Sequence, residues 1–193
     1  MISLTVHDAL LIADIQNDFL PGGALGIRGG NEIIPVLMSY IRRFQTHHLP
    51  IVLTRDWHPP NHCSFHSQGG LWPAHCVAGS PGSLTPPTFD APASAIIIYK
   101  AIDRDQEAYS AFQSTALDRH LRALGIRRLF IGGLATDYCV VNTVTDALTL
   151  GYAVCLLIDG IKAVNLQPDD GRRAEQDMIR LGAIPVRLET LAA

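Results

Sequence analysis

Short apolar runs alternate along the chain with longer stretches in which apolar residues recur every three or four positions. That alternation predicts a mostly parallel sheet wrapped by helices. Ala9–Ile15 is apolar throughout apart from Asp14, the pattern of a strand buried on both faces with an acid near its C-terminal end. Asn31 is placed to cap a helix whose face carries Ile33, Leu37, Tyr40, Ile41 and Phe44, and Pro50 closes that segment before a strand at Ile51–Thr54. Further strands are predicted at Ala95–Tyr99, Leu129–Gly133, Ala153–Ile158 and Ile184–Leu188. Further helices are predicted at Thr115–Leu124, Cys139–Leu150 and Asp170–Leu181, stopped by Gly125, Gly151 and Gly182. The expectation is therefore one α/β domain over residues 1–193, in three layers, with a six-stranded sheet and no internal repeat or linker.

The periodicity vanishes between Asp56 and about Pro92, where seven of the twelve prolines fall. An ordered loop of that length inside a compact domain usually carries function. Composition narrows the partners. The 193 residues hold 15 Lys plus Arg against 18 Asp plus Glu, a net charge of −3, which leaves no positive excess to neutralise phosphates and excludes nucleic acid as the main partner. An anionic membrane surface is excluded on the same ground. No run of eighteen apolar residues occurs, and Met1–Asp8 lacks the features of an export signal, so a cytoplasmic protein with its four cysteines reduced is expected. Homo-oligomerisation is compatible with the sequence and not decided by it.

Asp14, Asp56, Lys100 and Asp159 all fall at or just after predicted strand ends, which is where open α/β sheets bind ligands. Charged groups converging there would perturb one another's protonation; the competing reading is a set of loop charges. Cys139 follows a glycine-rich strand exit and starts a predicted helix, a position that favours a thiolate and offers free N–H groups to an oxyanion. Cys155, in mid-strand, reads as core. His58, His62, His66 and His75 crowd into eighteen residues beside Asp56, Cys63 and Cys76, a density that suggests a metal. In extended chain Asp56 and His58 face the same side, and His75 would complete three ligands with positions left for water or substrate. A closed cage that recruits Cys63 and Cys76 is the alternative. His62 and His66 are expected to be solvated loop histidines.

Five ordered blocks carry a resemblance that runs nearly end to end: Ala13-Asp14-Ile15-Gln16-Asn17-Asp18-Phe19 with Pro21-Gly22-Gly23, Asp56-Trp57-His58-Pro59, Leu71-Trp72-Pro73-Ala74-His75-Cys76-Val77, Tyr99-Lys100, and Gly133-Leu134-Ala135-Thr136-Asp137-Tyr138-Cys139-Val140. The chain resembles the nicotinamidases, or pyrazinamidases, of the isochorismatase-like cysteine hydrolases. The resemblance implies a Rossmann-like fold and hydrolysis of nicotinamide, and of pyrazinamide, in NAD salvage. It implies Asp14 as base, Lys100 as positioning cation and Cys139 as nucleophile, with an oxyanion held by the N–H groups of Ala135 and Cys139. A cis peptide between Leu134 and Ala135 would turn the first of these into place. Asp56, His58 and His75 match the family's ligands to one divalent ion, zinc foremost, with iron or manganese as alternatives, and Ser64 stands as an outer partner. Phe19, Trp72 and Tyr109 match the aromatic wall around the substrate ring. One departure is Ala101, where the pattern has glycine after the lysine.

Two other functions remain open on sequence. A sister amidohydrolase would act on N-carbamoyl or other small amides with the same three residues, and a non-catalytic protein would use the histidine loop as a structural metal site.

Overall fold

The computed structural model describes residues 1–192. Each apolar run forms a strand: β1 (Asp8–Ala13), β2 (Ile51–Asp56), β3 (Ile96–Lys100), β4 (Arg128–Leu134), β5 (Ala153–Lys162) and β6 (Ile184–Val186). They lie in the order β3-β2-β1-β4-β5-β6, and every neighbouring pair is parallel. Four helices cover the sheet: α1 (Ile34–Thr46), α2 (Leu117–Ala123), α3 (Val141–Thr149) and α4 (Asp170–Arg180).

Strand alternation divides the core into two layers. Leu10 and Ile12 of β1 join Leu37, Tyr40, Ile41 and Phe44 of α1 on one face. Ala9, Leu11 and Ala13 face the other way, against Leu117 and Leu121 of α2, Val144 and Ala147 of α3 and Met178 of α4. Both faces of β1 are thus dry, which explains its unbroken apolar run. Cys155 is buried in β5, as its mid-strand position predicts.

Three local expectations are corrected. Asn31 does not cap α1; it sits in a 3-10 turn at Gly30–Ile33, and α1 starts at Ile34 with a proline in its first turn and no side-chain cap. The helix expected from Cys139 begins instead with a π turn at Thr136–Val140, and regular α-helix follows from Val141. β5 does not stop at Ile158 but runs to Lys162, past a register shift against β4 between Ile131 and Gly133. This removes Asp159 from the site: it accepts a hydrogen bond from the Tyr40 hydroxyl at 2.9 Å and another from the Leu188 N–H at 2.9 Å. Asp159 ties α1 and the C-terminal segment to the sheet.

β1 and β4, the central pair, leave the sheet side by side. At their exit Gly133 has φ +113°, and a Cβ there would lie 2.1 Å from the Ala13 carbonyl oxygen. Only glycine allows that approach. The next peptide, Leu134-Ala135, is cis.

Candidate active site

The C-terminal ends of β1, β2, β3 and β4 converge on a buried cluster. Asp14 follows β1 with φ +48°, a left-handed turn that aspartate tolerates better than most residues. Lys100 ends β3 in register with Asp56 of β2, so their side chains emerge together on one face. Cys139 enters from the π turn beyond β4.

The Lys100 ammonium joins these parts. It lies 3.0 Å from Asp14 Oδ2 and 3.3 Å from Cys139 Sγ, bonds to Asp56 Oδ1, and donates to the Ala108 carbonyl at 3.3 Å. Asp14 Oδ1 accepts from the Thr54 hydroxyl at 2.6 Å. Carboxylate atoms of Asp14 and Asp56 and the Cys139 sulfur all fall within 4.8 Å of one another. All four residues are almost wholly shielded from solvent.

Burial sets the electrostatics. It raises the Asp14 carboxyl above its usual value, with the Lys100 charge opposing. It pushes the Cys139 thiol well up; Lys100 pulls it down, but Asp14 and Asp56 add to the rise. Two facing carboxylates and a dry setting thus oppose the thiolate that the helix start favours. Burial would strip Lys100 of its proton, yet Asp14 and Asp56 hold the ammonium charged well beyond its ordinary range. For Asp56 burial acts upward too, and the Lys100 charge leads the causes that overcome it, holding the carboxyl well below its ordinary range.

Beside Asp56 lie His58 and His75, and the three offer ligand atoms within 4.8 Å of one another. Both imidazoles are oriented from behind. His58 Nδ1–H donates to the Ala101 carbonyl at 3.3 Å and His75 Nδ1–H to that of Pro73 at 2.8 Å, which leaves each Nε2 lone pair free. His58 Nε2 is buried without a hydrogen-bond partner, 3.6 Å from Asp56 Oδ2. A carboxylate and two tautomer-fixed imidazoles around an orphaned buried nitrogen are the donor set of an open divalent-metal site. Cys63 and Cys76 take no part in either such group among the described residues.

His62 is a correction. It is fully buried, with its ring 4.3 Å from that of His58, Nε2–H donating to the Gln106 carbonyl at 3.2 Å and Nδ1 accepting from the Ser64 hydroxyl at 2.8 Å. It braces a metal-ligand candidate instead of meeting solvent, and Ser64 reaches the ligands only through it. His66 is exposed, as expected. The glycine missing at position 101 also has a reason: Ala101 has φ +51°, the left-handed region that glycine occupies without penalty.

Above the cysteine opens a cleft with Asp56, His75 and Cys139 on its floor and Phe19, Trp72 and Tyr109 in its wall. Trp72 Nε1–H donates to the Tyr109 hydroxyl at 3.0 Å, and burial pushes that hydroxyl up to about 12. The sequence reading missed Leu25, Tyr138 and Val164, which complete the wall, and Thr54. Thr54 was findable, since it lies two residues before Asp56 and so shares its strand face.

Comparison with known proteins identifies the fold and the family. Residues 8–189 match the isochorismatase domain model. The Escherichia coli nicotinamidase is 40% identical over 196 residues, covering 91% of this chain and 92% of that protein. The crystal structure of Pyrococcus horikoshii pyrazinamidase in complex with zinc superposes with a TM-score of 0.91 at 46% identity, over 94% of this chain and 99% of that one. PnC1 from L. infantum in complex with nicotinate gives 0.90 at 34% identity, over 100% and 98%. The chain belongs to the isochorismatase-domain family, among its nicotinamidase and pyrazinamidase members.

Proposed function

We propose that this protein hydrolyses nicotinamide to nicotinate and ammonia, accepts pyrazinamide, and serves NAD salvage as a cytoplasmic enzyme with a small-molecule substrate and no nucleic-acid or membrane partner. The observation that carries the reading is the Lys100 ammonium, which touches the thiol, the candidate base and one carboxylate of the metal-ligand set at once. It ties a nucleophile to a ring-anchoring point at a fixed spacing, and orientation of that kind supplies much of an enzyme's rate gain.

Asp56, His58 and His75 would hold one divalent ion, zinc by preference and iron or manganese by the tolerance of mixed N/O donors. Bound there, the ion supplies a Lewis-acidic anchor for a pyridine or pyrazine ring nitrogen. Phe19, Trp72 and Tyr109 sandwich the ring and exclude water. The carboxamide then faces Cys139, whose thiol is pushed up by burial and needs a base to attack. As sulfur attacks the carbonyl carbon, Asp14 takes the thiol proton and Lys100 compensates the charge of the pair. The N–H groups of Ala135 and Cys139 receive the oxyanion at a helix start, where backbone donors lack intrahelical partners. Collapse breaks the C–N bond, Asp14 gives its proton to the leaving nitrogen, and ammonia departs from a Cys139 thioester. Asp14 next deprotonates a water that attacks the thioester, and the released sulfur regains its proton as nicotinate leaves.

The test is ammonia release from nicotinamide by the zinc-loaded protein beside Cys139→Ala. Turnover by the parent and none by the variant is expected. A parent that releases no ammonia overturns the reading, and an active Cys139→Ala overturns the nucleophile.

A further inference from the structure

The segment leaving β1 carries two polar side chains, Gln16 and Asp18, that this chemistry does not use. β1 pairs with β2 only as far as Ile12 and Leu53 and then turns away at Asp14, so the backbone of Asp56 has β3 on one side and no strand on the other. Gln16, fully buried, fills that gap with its side chain. The Asp56 N–H donates to Gln16 Oε1 at 2.9 Å, and Gln16 Nε2 donates to the Asp56 carbonyl at 2.8 Å and to that of Ser83 at 3.0 Å. One amide thus imitates a neighbouring strand for a single residue, which is the carboxylate ligand candidate. Asp18 acts on the other arm. Its Oδ2 accepts from the Cys76 N–H at 2.7 Å and its Oδ1 from the Ala24 N–H at 3.3 Å. Cys76 follows His75 and has φ +45°, so Asp18 holds the turn that aims that imidazole.

We infer that Gln16 and Asp18 are positioning residues which register Asp56 and His75 against the Asp14 carboxylate, so that one five-residue stretch, Asp14 to Asp18, sets the spacing between the nucleophile's base and the metal. The inference rests on the metal-site reading above. One stretch suffices because the chain bends twice within it, at the left-handed Asp14 and in the 3-10 turn Asn17–Phe19, so that Asp14, Gln16 and Asp18 each reach a different partner of the same site.

Zinc affinity, measured on the purified full chain by competition with a chromophoric chelator, tests this, with thermal melting of the metal-free forms alongside. Gln16→Glu removes the donor to the Asp56 carbonyl, and Asp18→Ala removes the acceptor for Cys76; each should weaken zinc about 10- to 100-fold. Asp18→Asn keeps the acceptor for the Cys76 N–H and gives up only the longer bond from Ala24, so it should stay closer to the parent's zinc affinity than Asp18→Ala, and equal melting of the metal-free forms separates this from a role in bulk stability. If Gln16→Glu does not fold, the two Asp18 variants decide. Unchanged zinc affinity in Asp18→Ala overturns the inference, and so does a loss in Asp18→Asn as large as that in Asp18→Ala. A parent protein that binds zinc but leaves nicotinamide intact sinks the proposed activity and leaves this inference standing. A parent that binds no zinc sinks the inference itself.

Discussion

At the scale of single residues, the site is a set of charges held where water cannot screen them. Asp14 is the sensitive one, because burial raises its pKa. A raised carboxyl favours the native state only while it is protonated. That contribution is complete below the unfolded value of about 4 and is lost as pH rises through the native pKa. Asp14→Asn removes the buried charge and keeps a residue at home with φ +48°. Its melting temperature should therefore exceed the parent's at neutral pH, with the gap closing as pH falls toward 4, while kcat/KM drops by roughly 10³-fold, as for loss of a general base. The parent's activity should fail on the acid side at a pH above that of an ordinary aspartate. Ala101 predicts the reverse trade. Relieving its left-handed strain with Ala101→Gly should add about 1 kcal/mol, after glycine's own entropy cost, or a few °C in Tm, with kcat/KM unchanged.

At the scale of elements, the central pair of strands governs how closely the base and the nucleophile's turn approach. Gly133→Ala would place a Cβ 2.1 Å from the Ala13 carbonyl at φ +113°, so unfolding in urea should show a loss of about 3 kcal/mol or more. The six strands and four helices were legible because apolar period is a local property. The misplaced ends have local-signal causes too. Asn31 carries capping chemistry, but α1 starts on a proline turn beyond it. The extension of β5 to Lys162 depends on pairing with β4, which no window of β5 contains. Asp14 and Lys100 stood out as lone charges at the ends of apolar runs, and Cys139 as the residue starting a predicted helix after a glycine-rich strand exit. Gln16 and His62 did not, because nothing beside them in the chain announces the backbone or ring they meet.

For the molecule as a whole, the sheet is the frame and the long loop is the insert. The metal-ligand candidates hang on the ends of β2 and the loop, while the two core layers lie on the faces of the sheet. Stripping metal with a chelator should therefore abolish nicotinamide hydrolysis and leave the far-UV circular dichroism unchanged, with Tm lowered only by the lost binding energy. Unfolding on chelation would instead mark a structural metal. No helix among the described residues is long and apolar enough to cross a membrane.

The chain's order of apolar runs determined the layered α/β architecture, and its residue types at strand ends, with the spaced blocks around them, determined the family and the chemistry on offer. Those depend on neighbours in sequence. Only the tertiary structure decided that Asp159 leaves the site, that His62 enters it, that two carboxylates face the Cys139 sulfur and that Gln16 stands in for a strand. Each of these depends on which distant groups share a water-free volume, and electrostatic and hydrogen-bond energies are set by distance through space.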